Sequence, residues 1–103
     1  MPRVSFRPQA RTEIREARTW YNAQVRGLGR AFVAEIETTL AFLRLHPQMY
    51  APVTDDGHVR RALLRRFPYS LVYEVMTADD IVVLACRHVR QDEIAWSSTR
   101  RDV

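Results

Sequence analysis

The apolar residues of this chain change their spacing once, and that change restricts the fold more than any motif does. Up to residue 45 they recur at the spacing of an amphipathic helix; from 58 to 89 they alternate or run together, as in strands. Ala10, Ile14, Ala17, Tyr21 and Val25 mark one face of a helix predicted over 8–25, with Arg11, Arg15, Glu16 and Arg18 mostly off that face. Gly27 and Gly29 interrupt the pattern and predict a turn at 26–29. Leu28, Phe32, Ile36, Leu40 and Leu43 form a second stripe, flanked by Val33 and Phe42, until Pro47 ends the helix near Leu45. Two amphipathic helices joined by a short turn make an antiparallel hairpin.

The remaining segments read as β. Residues 2–6 alternate Val4 and Phe6 with Arg3 and Ser5, a short strand. Residues 46–58 hold two prolines, a glycine and paired aspartates, and are read as a loop. Strands are predicted at 58–66 and 69–76, separated by Pro68, with a tight connection at 77–80. The run at 81–89 begins unbroken and apolar, which predicts a central strand covered on both faces. The order is therefore β-α-α-β-β-β. Segregated helices and strands imply an α+β fold, a helical hairpin on one face of a mostly antiparallel four-stranded sheet that the N-terminal strand joins.

A length of 103 residues suits one domain over the whole chain, with 93–103 as a polar tail containing Trp96. The opening residues carry three arginines and no apolar run, so neither a secretion signal nor a membrane span is expected. Cys86 is the sole cysteine, which excludes an internal disulfide and a cysteine-based metal site and agrees with a reducing cytoplasm. No zinc-ligand motif, phosphate-binding glycine loop or nucleophile elbow is present, and no cofactor is expected. The net charge is +4, and all 16 basic residues are arginine. Arginine stays protonated and grips phosphate or carboxylate through paired N–H groups. Any acid–base step must therefore use His, Asp, Glu or Tyr.

The segments and their order resemble the toxins of the RelE/ParE superfamily, from bacterial type II toxin–antitoxin systems. The resemblance is carried by Ala10, Ile14, Glu16, Ala17, Trp20 and Tyr21 in the first helix. In the second it is carried by Gly27, Leu28, Gly29, Phe32, Glu35, Ile36 and Leu40, with Pro47 and Tyr50 at its exit. The fullest match is Arg60, Arg61, Leu63 and Leu64, then 67–69 (FPY), 71–75 (LVYEV), 81–85 (IVVLA), His88 and Arg90. It covers residues 1–96 and lies nearer the ParE branch. It implies a growth-inhibiting, plasmid-stabilising toxin held by a cognate antitoxin in a hetero-oligomer, with DNA gyrase as the target where ParE-like toxins are understood. The alternative within the superfamily is a RelE-like, metal-independent endoribonuclease acting on ribosome-bound mRNA.

Each branch singles out its own residues. Trp20 and Tyr21 are aromatic candidates for antitoxin or target binding, joined by Arg60, Arg66 and Arg90; Phe42 is expected in the core. For a nuclease, His88 would serve as base or acid, and Arg61, Arg65 and Arg87 would clamp the scissile phosphate. Strand parity puts Arg61 and Arg65 together but sends Arg87 and His88 to opposite faces. The arginines could equally form a solvated strand face or pair with Glu74 and Asp92. Two departures weaken the nuclease pattern: the chain has no lysine, and His88 is followed by Val89 rather than by an aromatic partner. His46 is read as a helix-end residue, His58 as a loop residue without metal-ligand spacing, and Cys86 as buried and inert.

Overall fold

The computed structural model describes residues 3–90; the expected tail with Trp96, and Pro2 at the start of the first strand, lie outside the described residues. Pro8 occupies the first turn of helix α1 (Pro8–Gln24), where a missing backbone N–H breaks no helical bond. The helix stops where the Val25 N–H closes on the Tyr21 carbonyl and Gly27 takes a φ of 89°. That left-handed conformation favours glycine. The Asn22 side chain accepts a hydrogen bond from the Gly27 N–H at 3.0 Å and fixes the turn. Helix α2 (Leu28–Leu45) follows at once. A Cβ added at buried Gly29 would lie 2.5 Å from the Arg18 carbonyl oxygen, so the absence of a side chain lets the two helices meet backbone to backbone.

The strands are β1 (Val4–Phe6), β2 (Ala51–Pro52), β3 (Val59–Leu63), β4 (Tyr69–Val75) and β5 (Ile81–His88). They lie in the order β1-β5-β4-β3-β2. β1 runs parallel to β5 and every other pair is antiparallel. The expectation of four strands is thus corrected to five. The segment read as loop contributes β2, which sets Ala51 against Arg61 and Pro52 against Arg60 at the sheet edge. A proline is tolerated there because an edge strand has one unpaired side. β3 ends earlier than expected, although the Leu64 N–H still reaches the Tyr69 carbonyl at 2.9 Å. The connection at 77–80 contains a single 3₁₀ turn, Thr77–Asp79, with Asp79 at a φ of 62°.

One irregularity decides which way the end of β5 faces. Tyr73 pairs with Val83 and Val72 with Ala85, so Leu84 is the extra residue of a β-bulge. Beyond the bulge the alternation is offset by one: Ile81 and Val83 face the helices, and so do Cys86 and His88. The core lies between that face and the hairpin. Ala10, Ala17 and Tyr21 of α1 and Phe32, Ile36 and Leu43 of α2 pack on Ala62, Leu71, Tyr73, Ile81, Val83 and Cys86. At one end Tyr21, Phe32, Phe67 and Tyr69 form an aromatic cluster, mostly edge to face, with centroids 4.9–6.0 Å apart.

Candidate functional site

The strand arginines divide between the two faces of the sheet. Arg61 is in register with Val72, and Val72 with Ala85; Leu63 is in register with Ser70, and Ser70 with Arg87. Residues paired across strands project to the same side, so Arg61 and Arg87 share the face turned away from the helices. Arg60 projects to the other side, and its guanidinium is spent on backbone. It donates to the carbonyls of Gly57 (3.0 Å), Gln48 (3.0 Å) and Tyr50 (2.7 Å), gathering the 46–58 segment around β3.

Two helix glutamates take charge of two further arginines. Glu35 of α2 is buried and accepts from both the backbone N–H and the Nε of Arg66, at 2.9 and 3.1 Å. Glu13 of α1 accepts the Cys86 backbone N–H at 2.9 Å, and its other oxygen lies 3.7 Å from the Arg87 Nε. That bond caps β5 where β1 no longer covers it, since β1 pairs only with 81–83. Arg65 lies beyond the end of β3 and is exposed, as is Arg90.

His88 stands on the helix-facing side, in register with Tyr69, with ring centroids 5.5 Å apart. Its Nδ1 accepts the Arg90 backbone N–H at 3.3 Å, so the neutral ring carries its proton on Nε2. The structure therefore brings Arg61 and Arg87 onto one face and leaves His88 on the other. Burial raises the Tyr69 hydroxyl and pushes the Tyr73 hydroxyl up to about 12, with nearby Arg60 opposing the rise at Tyr73. Burial, reinforced by Glu13, pushes the Cys86 thiol up to about 12, so it carries no thiolate at neutral pH.

The aromatic candidates separate too. Tyr21 belongs to the core, whereas Trp20 is 57% exposed and meets it edge-on at 5.1 Å. Phe42, expected in the core, is instead 39% exposed. It stands beside His46 and Tyr50 at the mouth of a 430 Å³ cleft also lined by Leu63, Arg65 and Arg66. The stripe of α2 is wide enough that its flank reaches the surface, which the helical period alone did not reveal.

Sequence reasoning missed a groove on the hairpin. Val4 and Phe6 of β1, Ile14 of α1, and Val33, Ile36 and Leu40 of α2 line a 580 Å³ cavity, with Arg11, Arg15, Arg18, Glu37 and Arg44 also around it. The signal was present in the arginines that lie off the apolar face of α1; what was absent was the knowledge that α2 and β1 would flank them. Among the described residues no group of three or more His, Cys, Asp or Glu is placed to hold a metal, and no helix is long and apolar enough to cross a membrane.

A hairpin of helices laid on a mostly antiparallel sheet, entered by a parallel N-terminal strand, is the architecture of the RelE/ParE toxins. The structure is similar to that of the chromosomal ParDE toxin–antitoxin system from P. aeruginosa, with a TM-score of 0.71, 18% identity, and 85% of this chain and 96% of that chain covered. It is also similar to the isolated RelE toxin of E. coli (TM-score 0.62, 18% identity, all of both chains). A third likeness is to an E. coli RelE variant in complex with an antitoxin RelB peptide, at a TM-score of 0.62 and 18% identity over 82% of this chain and 80% of that one. Comparison of the sequence with curated proteins finds no match. The family model described as ParE toxin of type II toxin–antitoxin system, parDE, matches residues 4–93. The chain belongs to the ParE toxin family; it is a toxin of a type II toxin–antitoxin system.

Proposed function

We propose that this toxin inhibits bacterial growth by binding a protein target, DNA gyrase, and that a cognate antitoxin from the neighbouring reading frame neutralises it in a cytoplasmic hetero-oligomer. The observation that carries this reading is the separation of His88 from the face that bears Arg61 and Arg87. Cleavage of RNA at a ribose 2′-hydroxyl requires a base and phosphate-binding cations around one bound phosphate. Here the candidate base and two of the candidate clamps lie on opposite sides of a sheet. Arg87 already faces a carboxylate, that of Glu13. Binding to a protein needs no such convergence. The antitoxin partner is supported by the family and by the toxin–antitoxin complexes among the similar structures.

The test is induced expression of the chain without its antitoxin. The expected result is growth arrest with DNA-damage signalling, gyrase-linked DNA breaks and intact mRNA pools. Rapid translation arrest with cleaved, ribosome-bound mRNA would overturn the gyrase reading in favour of the nuclease. In that event His88→Ala and Arg65→Ala should each relieve toxicity.

A further inference from the structure

We propose that the outer side of α2 docks a second copy of this chain, the two helices lying antiparallel about a two-fold axis at Thr38.

Ala31, Ala34, Thr38, Phe42 and Leu45 are spaced by three, four, four and three residues, so they follow one side of α2. It is not the core side, which carries Phe32, Ile36 and Leu43. Ala31 is half-buried and the other four are exposed. The stripe runs for about 21 Å at helical rise and holds no charge. Arg30, Glu37 and Arg44 recur every seven residues on one flank, and Glu35 on the other is engaged with Arg66. Phe42, Leu45, Met49 and Leu63 are four of the seven large apolar side chains exposed among the described residues. They gather at one end of the stripe: Phe42 and Leu63 share a cleft, Leu45 stands one turn on, and Met49 lies just past the helix. An apolar patch of this kind marks a contact surface.

The order of sizes along the stripe selects the occupant. Small Ala34 and Ala31 lie four and seven residues before Thr38; large Phe42 and Leu45 lie four and seven residues after it. A second helix turned about an axis through Thr38 therefore sets Phe42 of each copy over Ala34 of the other, and Leu45 over Ala31. Large side chains fill the spaces that small ones leave, and the two-fold makes each contact twice. Ala34 and Thr38 line the 430 Å³ cleft, so the incoming ring enters beside Arg65, a cation suited to an aromatic face. Nucleic acid or a charged segment would find no counter-charge on the stripe. A lipid surface would bury Phe42 and Leu45 but leave the matched order of sizes without a role. A single helix pair is a small interface, so the pairing is weak and depends on concentration. Each copy carries a net charge of +4, so added salt should strengthen the pairing by screening the repulsion.

The experiment is sedimentation equilibrium of the full chain over a concentration series. A monomer–dimer equilibrium is expected, with a Kd on the order of 10–100 µM. Thr38→Arg and Thr38→Glu each set like charges face to face on the axis and should weaken pairing at least about tenfold. Mixed in equal amounts, those two variants should pair again. Ala34→Arg mixed with Phe42→Glu should also pair, because position 34 of one copy meets position 42 of the other; a parallel pair would bring them no nearer. All the substituted side chains are exposed, and an unchanged thermal melt shows that the fold is retained. A chain that stays monomeric up to about 1 mM overturns the proposal, whether or not it sediments with anionic phospholipid vesicles. So does undiminished pairing in folded Thr38→Arg, or failure of either mixture to pair.

Discussion

Glu35 and Arg66 are joined through both the backbone and the side chain of the arginine: one carboxylate oxygen takes the Arg66 N–H at 2.9 Å, the other its Nε at 3.1 Å. The glutamate is 9% exposed and the arginine side chain 70% exposed, so the two ends of the pair contribute unequally. A surface guanidinium adds little in water, whereas a buried carboxylate that satisfies a backbone donor holds a turn in place. Glu13 does for β5 what Glu35 does for the turn after β3, accepting the Cys86 N–H and facing Arg87.

This asymmetry gives the first prediction. Glu35→Ala should destabilise the protein by about 2 kcal/mol, because the Arg66 N–H loses its acceptor. Arg66→Ala keeps that backbone bond and should cost under about 1 kcal/mol. Chemical denaturation of both variants checks the order; equal losses would mean that the exposed side-chain contact carries the energy.

Gly29→Ala tests the approach of the two helices. The new methyl would meet the Arg18 carbonyl oxygen at 2.5 Å, and backbone cannot step aside as a flexible side chain can. Overpacking of this kind costs about 1–3 kcal/mol. A melting temperature lowered by several degrees is expected; an unchanged melt would show that the hairpin opens without cost.

Arg60 is expected to be structural. Its three donations to the carbonyls of Gly57, Gln48 and Tyr50 hold the segment that forms β2. Arg60→Lys keeps the charge but loses the planar fork that reaches several carbonyls at once, so it should not restore stability. Hydrogen exchange at Ala51 and Val53 should accelerate in Arg60→Lys and Arg60→Ala alike. Protection equal to the parent in the lysine variant would contradict this role.

Alkaline pH should unfold the protein earlier than the exposed surface requires. Cys86 and Tyr73 ionise near 12 in the folded chain, against ordinary values of 9.0 and 10.0. The folded state holds these protons more tightly, so the stabilisation is complete below pH 9 and is lost as pH rises through 9–12. Cys86→Ala should flatten the lower part of that fall in a pH series of denaturation midpoints. A thiol reagent at pH 8 should leave Cys86 unmodified until denaturant is added, since the residue is 2% exposed.

Much of the architecture is local information, and the sequence carries it openly. The helical period ran from Pro8 to Leu45 because those residues needed only to keep one side apolar, and the breaks at Gly27 and Pro47 needed only backbone geometry. The strand-forming runs that became β4 and β5 were equally legible. An all-arginine set of basic side chains barred those residues from serving as bases without any coordinates. The candidate site was legible in its residue types and not in its arrangement. Arg60, Arg66 and Arg87 looked alike as clustered charges, yet one binds loop carbonyls, one a buried glutamate and one faces a helix carboxylate.

Those outcomes depended on which element packs beside which, and only the tertiary structure decided them. Glu13 and Cys86 are 73 residues apart, and no periodicity relates them. β2 exists because Arg60 and β3 gather a proline-containing segment to the edge of the sheet. The bulge at Leu84 offsets the end of β5 because one residue of that strand has no counterpart on β4. Local spacing fixes which side of an element is apolar, since that is a property of consecutive residues. Where each charge finds its partner is a property of the packed whole.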